Sequence, residues 1–472
     1  MAAVLRFDRF RTAFFLLALA FLPLWLTGCA VNLGPTFRLR RERVVVHYAV
    51  QPIARLQTSV HVVVRNVGTR SLAELRFRTA GQLEQVKPAA AASAQSGSDA
   101  SEPDDRASAS SIAMKPSLGR RRSRMIFFSR QIPLEGLSVF LEPDEWFPSF
   151  IPPRGLFGRG EPWAPRTEID IFVPYGYRAL TSGRLRRARQ GHPGGEAEYA
   201  YSVRQEDFPP YLVVGQYEQQ KIRVRGQSVL FWSSTPFDPG CARTVADEAV
   251  ETAGLYRSLF GRLPEYLGPI RVIEIASAGT GSREPDETAP NAVLFSVNPA
   301  DACRQMNRFL FLVARNLAAT WFGWGVRPEP AARAILGTGA QDYAALIAEE
   351  KREGPAARKR QVIDWLTEYD RLRSRAKPLP PGELGTHPTG DQLRMAGVQS
   401  ALCLVALEDR LGADPVRRAL KDVVGALEGS TAGRNELRSA LERESGQDLY
   451  EFFNEWLGKA GVPAAFRRRY TD

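Results

Sequence analysis

Histidine and cysteine, the side chains most often recruited as zinc ligands, are sparse in this chain, at four each. The four histidines, His47, His61, His192 and His387, are scattered, and none stands at metal-ligand spacing from another. No G-x-S-x-G occurs and no His is placed to pair with a Ser or Cys nucleophile, so no hydrolase triad is legible. One cysteine carries a local motif. Cys29 closes Leu26-Thr27-Gly28-Cys29, after a basic start (Arg6, Arg9, Arg11) and an apolar run from Thr12 to Trp25. This is the pattern of a bacterial lipobox: the thiol receives diacylglycerol and cleavage leaves Cys29 as first residue. The run is short for a membrane span of ~20 residues, and an uncleaved anchor helix is the alternative. Acyl chains on Cys29 make the lipid membrane a partner. Ala30 follows, not Asp, so the periplasmic face of an outer membrane in the cell envelope is the expected location.

A second segment is notable for chemistry it lacks: Arg315-Asn316-Leu317-Ala318-Ala319-Thr320-Trp321-Phe322-Gly323. Helix positions i and i+4 lie on one face, close enough for two side chains to share a tetrahedral zinc. Such ligands must donate lone pairs. Arg315 carries a permanent charge and offers only donors. Ala319 offers nothing. Thr338, after eighteen intervening residues, has only a neutral hydroxyl. Asn316 cannot take a proton from water near neutral pH.

The segment resembles H-E-L-A-H-Q-W-F-G of the aminopeptidase N family, gluzincins that carry H-E-x-x-H on a helix. The resemblance implies that Arg315 and Ala319 stand where the family has its zinc-binding His residues, Asn316 at the general base and Thr338 at the Glu ligand. Gly337-Thr338-Gly339-Ala340-Gln341-Asp342-Tyr343 follows the family's N-E-G-F-A-T-Y, keeping Gly339 and Tyr343. Arg394, in Arg394-Met395-Ala396-Gly397, corresponds to the oxyanion-stabilising Tyr of Y-x-K-G. Gly279-Thr280-Gly281-Ser282-Arg283 occupies the region of G-A-M-E-N, whose Glu grips the substrate amine, and has no acid at the matching place. The expectation is a degenerate relative with no catalytic residues, no metal ligands and no cofactor. An Arg315 on a buried helix needs a counter-ion or a route to water. Asp342 is one candidate partner; a solvent-facing Arg315 is the other reading.

The elements that must position these residues follow from patterning. Residues 40 to about 215 read as β-rich, with Val-rich runs at Arg43–Val50 and Leu56–Arg65 and a turn at Asn66-Val67-Gly68-Thr69. Trp146-Phe147-Pro148 resembles the family's W-Y-P. Pro88–Gly119, rich in Ala, Ser, Asp and Pro, reads as a disordered insertion. From Gln216 the pattern becomes α/β, with strands at Ser228–Ser233 and Ile270–Ala276 and helices at Cys241–Phe260 and Gln305–Trp321; the resemblance implies that Ala292–Val297 is the edge strand that lines the family's substrate cleft. The rest is helical, and Ser445-Gly446-Gln447-Asp448-Leu449 through Trp456 to Gly461-Val462-Pro463 resembles the family's S-G-x-D-L-x-x-F-F-x-x-W…G-x-P ending.

The expected fold class is α+β multidomain. Residues 1–28 are a lipoprotein signal peptide. Residues 29–216 form an aminopeptidase N-like antiparallel β-sandwich, with the insertion at 88–119. Residues 217–380 form a thermolysin-like α/β domain, and 381–472 its helical end. Removing residues 1–28 takes away three Arg and one Asp, so the net charge falls from +11 to +9. That balance suits anionic lipid or an acidic partner, while the exported character argues against nucleic acid. Cys241, Cys303 and Cys403 leave room for one disulfide, with the pairing open. The expected function is a membrane-anchored, non-catalytic peptidase homologue that binds a peptide or envelope protein. The alternative is an active metallopeptidase with displaced ligands.

Overall fold

The computed structural model describes residues 37–471 apart from 51–54, 67–71, 79–82, 88–93, 97–108, 120, 135–138, 142–145, 148, 152–166, 204–209, 262–267, 276–287, 385–387 and 428–430. The lipobox, His387 and the Gly279–Arg283 segment therefore lie outside the described residues, as does much of the 88–119 stretch.

The N-terminal half is built on a seven-stranded sheet in the spatial order β12 (Arg184–Arg189), β13 (Glu196–Val203), β10 (Thr167–Pro174), β1 (Phe37–Ala49), β2 (Arg55–Asn66), β7 (Ser123–Pro133), β4 (Leu83–Lys87). Strict alternation makes these strands. In β2, Leu56, Thr58, Val60, Val62, Val64 and Asn66 point inward and the residues between them point outward. The turn signal at Asn66 has a physical basis, because its buried amide donates to the Leu118 carbonyl at 2.7 Å. Pairing is antiparallel except between β1 and β10, which run parallel. The chain between them makes most of the sandwich, long enough to return in the same direction.

Two smaller sheets complete this half. One runs β5 (Ala94–Ser96), β6 (Ala109–Leu118), β3 (Leu72–Arg78), β9 (Ser149–Ile151). The strand β6 corrects the expectation of disorder across 88–119, since residues 109–118 pair antiparallel with β3. Composition misleads there because ladder hydrogen bonds need no large side chains. Pro116 has no ladder partner and sits within the register shift between Leu72 and Glu74.

The other small sheet, β11 (Arg178–Thr181), β14 (Leu212–Gly215), β8 (Val139–Leu141), is buried on both faces and joins the two halves. Ala179, Leu212 and Val214 pack into the sandwich core beside Trp146 and Phe147. Leu180 and Val213 face the other way, onto Trp232, Ile273 and Leu294 of the next sheet. That sheet runs β15 (Glu218–Val224), β16 (Gln227–Ser233), β17 (Ile270–Glu274), β18 (Ala292–Phe295), with β18 at the edge. Arg271 of β17 crosses the joint, its guanidinium donating to the Tyr211 hydroxyl at 2.7 Å and the Thr181 carbonyl at 3.3 Å.

Helices cover the other face of this sheet. In chain order they are α1 (Pro239–Phe260), α2 (Pro299–Arg304), α3 (Met306–Ala318), α4 (Ala340–Glu353), α5 (Pro355–Arg373), α6 (Gly390–Leu411), α7 (Ala413–Ala426), α8 (Arg434–Ser445), α9 (Tyr450–Leu457) and α10 (Ala464–Thr471). Asp238 caps α1 by accepting from the Gly240 and Cys241 amides, with Pro239 in the first turn. A Cys241–Cys303 disulfide then ties α1 to α2, leaving Cys403 buried and free.

Helices α3 to α10 share one core with the sheet, so the C-terminal helices are continuous with the α/β domain. Gln399 of α6 anchors the tail: its amide donates to the Trp456 and Lys459 carbonyls and its oxygen accepts from the Gly461 amide. No described helix is long and apolar enough to cross a membrane.

Candidate functional site

Helix α3 runs behind the sheet, buried over its C-terminal half, and delivers Arg315 and Asn316 in opposite directions. Asn316 turns to the sheet. Its side-chain oxygen accepts from the Leu294 amide at 3.2 Å, and its NH2 donates to the Leu312 carbonyl at 3.1 Å. A residue at the expected general-base position thus serves as a clip on edge strand β18.

Arg315 turns to the helices, where its side chain is only 6% exposed. Its Nε lies 2.9 Å from Asp342 Oδ1 on α4, and the Asp342 side chain has no exposure at all. Neither atom meets hydrogen-bond geometry, so the contact is a close ion pair rather than a hydrogen bond. The second Asp342 oxygen accepts from Arg394 of α6 at 2.6 Å. Arg394 in turn forks onto Glu368 of α5, Nε to Oε1 at 2.9 Å and a terminal nitrogen to Oε2 at 2.8 Å. Two guanidiniums and two carboxylates alternate through four helices, charge-balanced and largely out of water.

The electrostatics follow from that order. Burial pulls the Arg394 guanidinium down, but Asp342 and Glu368 outweigh it and hold its pKa above the ordinary arginine value. Burial alone would raise Glu368; Arg394 reverses this and the carboxyl sits below the usual range. Removing charges from water is costly, so such a network persists only where each member has a partner.

The other expected positions carry little chemistry. Ala319 follows the last residue of α3 and is fully buried. Thr338 lies in a π-helical turn, Arg333–Gly339, that leads into α4. It packs against Gly397 of α6 so closely that a Cβ there would come within 2.7 Å of Thr338 Cγ2. Gly339 is similarly required, since a Cβ would meet Ser400 Cβ at 2.5 Å and the Ala334 carbonyl at 2.7 Å. Gly339 and Gly397 therefore serve close helix approach. Arg315 and Arg394 are brought together through Asp342, with Thr338 one helical turn along α6 from Arg394. Asn316 and Ala319 stand apart from them.

Zinc would find poor ligands here: one permanent cation, one methyl group and one neutral hydroxyl. His47 stacks on Phe172 and His61 lies edge-on to Phe127, both in the sandwich. Among the described residues, no group of three or more His, Cys, Asp and Glu side chains converges. Tyr343 is fully buried with its hydroxyl donating to Glu408 at 3.0 Å.

Set against solved structures, the chain has an architectural parallel over most of its length. An M1 zinc metallopeptidase from Deinococcus radiodurans superposes with a TM-score of 0.62 at 16% identity, over 91% of this chain and 96% of the other. A mutant of that protein bound to a Tyr-Ser-Ala substrate gives a TM-score of 0.63 at the same 16% identity, again over 91% of this chain and 96% of the other. The fold is that of the M1 zinc metallopeptidases. No protein-family model matches the chain, and no curated protein matches it by sequence. With identity this low the likeness speaks for the fold alone.

Glu368 was missed by sequence reasoning. It lies 26 residues before Arg394 on a different helix, and its only signal was indirect: two arginines near one aspartate need a second acid.

Proposed function

We propose that this chain is a non-catalytic member of the M1-type fold, a lipid-anchored envelope protein that binds a peptide or protein partner. The observation that carries the reading is the Arg315–Asp342–Arg394–Glu368 network. A permanent cation, paired to a fully buried carboxylate, occupies the face of α3 from which a zinc ligand would project. Asn316 is committed to Leu294 and lacks the basicity to activate water. The network keeps the cleft helices in register without a metal.

For location, support comes from Leu26-Thr27-Gly28-Cys29 and from the Cys241–Cys303 bridge, because structural disulfides persist in oxidising compartments. Acylated Cys29 would hold the protein at the periplasmic face of the outer membrane. Cys29→Ser then releases it from membrane fractions, unless the apolar leader stays attached.

Metal analysis tests the central claim. Protein refolded with excess zinc should retain no stoichiometric metal. One tightly held zinc per chain, removed by chelator together with peptide hydrolysis, refutes the reading. Arg315→His, Asn316→Glu, Ala319→His and Thr338→Glu, introduced together, should regain zinc binding that no single change restores. Equal zinc binding by wild type and the quadruple variant would show that these positions are not the metal positions.

A further inference from the structure

The first strand begins close to the lipobox cysteine. Phe37, where β1 starts, is eight residues after Cys29, a stretch that spans at most about 28 Å. The sheet register shows what surrounds that start. Phe37 stands opposite Asn66 and Arg38 opposite Arg65 at the end of β2, while Arg65 stands opposite Ser123 at the start of β7. The run Arg120-Arg121-Arg122-Ser123-Arg124, remote from both in sequence, is thereby brought to the same end of the sandwich.

Asn66 fixes the backbone of that run. Its amide donates to the Arg122 carbonyl at 3.0 Å, its carbonyl accepts from the Arg121 amide at 2.9 Å, and its buried side-chain NH2 donates to the Leu118 carbonyl at 2.7 Å. The Arg122 amide donates to the Gly119 carbonyl at 3.1 Å, and Arg121 takes a φ of 58°. A non-glycine residue in that left-handed region is strained, and these bonds hold it there. Arg121 and Arg122 are thus exposed cations on an ordered turn.

Arg65, Arg121, Arg122 and Arg124 make no ion pair among the described residues, and Arg124 Nη1 is buried without a hydrogen-bond partner. The described acids of the neighbouring strands are engaged. Glu42 is fully buried and accepts from the Thr167 hydroxyl at 2.7 Å, Asp170 of β10 pairs with Arg43 at 2.7 Å, and Glu168 has a partner of its own. Like charges directly opposite on paired strands, the register of Arg38 and Arg65, oppose strand pairing; an anion laid over them relieves this. Met125, opposite Val63 on the outer face, adds an apolar side chain that is 64% exposed.

Charge and tether together select the occupant. An anionic bilayer attracts clustered arginines within a Debye length of about 8 Å. The tether keeps the bilayer within about 28 Å of this end at all times, whereas an acidic protein has to diffuse to it. We propose that this end of the sandwich, carrying Arg65, Arg121 and Arg122, docks on the anionic phospholipid headgroups of the membrane that holds Cys29, and so sets which side of the protein faces the bilayer. The inference rests on the lipid-anchored reading above and adds the face and the residues that make the contact.

The test uses the full acylated chain in phosphatidylcholine vesicles with and without phosphatidylglycerol. Met125→Cys carries a fluorophore, and lipid with a spin-labelled headgroup serves as quencher; Cys241 and Cys303 are bridged and Cys403 is buried, so they do not compete for label. Flotation should be the same with both vesicles, while quenching should require phosphatidylglycerol and vanish in ~1 M salt, where the Debye length is about 3 Å. Each arginine near the surface contributes about fivefold, so Arg65→Gln with Arg121→Gln and Arg122→Gln should lower the docked-to-undocked ratio roughly a hundredfold. A label at Tyr450→Cys on α9 should stay unquenched. Quenching that ignores phosphatidylglycerol, survives the triple substitution or is matched at Tyr450→Cys would overturn the proposal. If the triple variant melts early by circular dichroism, the lipid and salt dependence of the single-label protein decides. Protein that leaves neutral vesicles yet binds anionic ones through these arginines would refute the acyl tether and leave the docking face standing; protein that floats with both and is never quenched would do the reverse.

Discussion

Replacing Asp342 by Asn removes one negative charge from between two buried arginines while keeping the side chain's shape. The consequences differ for the two partners. Arg394 keeps its fork onto Glu368. Arg315, its side chain 6% exposed, loses the carboxylate it touches and keeps only the longer-range attraction of Glu368. At an effective dielectric of about 20, a contact near 2.9 Å is worth roughly 6 kcal/mol of gross attraction. Most of that offsets desolvation already incurred on folding, and breaking a buried pair from one side costs about 3–5 kcal/mol. That range is expected for Asp342→Asn. Arg315→Met should cost clearly less, because it leaves Asp342 with Arg394 at 2.6 Å and removes the stranded cation itself. Urea unfolding followed by circular dichroism, with m-values compared to exclude denatured-state effects, gives both numbers. If Asp342→Asn falls within about 1 kcal/mol of wild type, or Arg315→Met is the worse of the two, the network does not hold the site as described.

A pH effect should arise in the sandwich, where burial pushes the Glu42 carboxyl up to about 7 and the Thr167 hydroxyl only partly offsets it. The folded state then binds more protons than the unfolded one between about 4.5 and 7. Stability is greatest below that window and falls as pH rises through it, by up to about 3 kcal/mol. Glu42→Gln should therefore be more stable than wild type at pH ~8 and indistinguishable near pH ~4; parallel stability curves would exclude this. The Cys241–Cys303 bridge closes a separation of 62 residues. Cys241→Ser with Cys303→Ser should lower stability by about 4 kcal/mol on the chain-entropy estimate. A native protein in which all the cysteines titrate as free thiols would show the bridge absent.

Much of the frame was legible because it is written in local pattern. The alternation of β2 and the helices α1 and α3 follow from periodicity within a few residues, whereas the edge position of β18 was legible only through the family resemblance. The glycines of Gly337-Thr338-Gly339 and Gly397 could be singled out by resemblance, but their reason, helix backbones in close approach, is a property of packed pairs. Composition misjudged residues 109–118, since ladder pairing with β3 depends on a partner some forty residues away. The absence of zinc-donating side chains at Arg315, Ala319 and Thr338 was equally plain from residue type.

What occupies that place was not plain. Arg315 could have faced water or Asp342, and one sequence served both readings equally well. Charge pairing acts over a few ångströms in space, and Asp342, Glu368 and Arg394 come to Arg315 from three further helices. The same holds for Cys241 finding Cys303 and for Asn316 clipping Leu294. Residue types say which chemistry each position can do; folding chooses its neighbours, because the free energy of a buried charge depends almost entirely on what lies beside it.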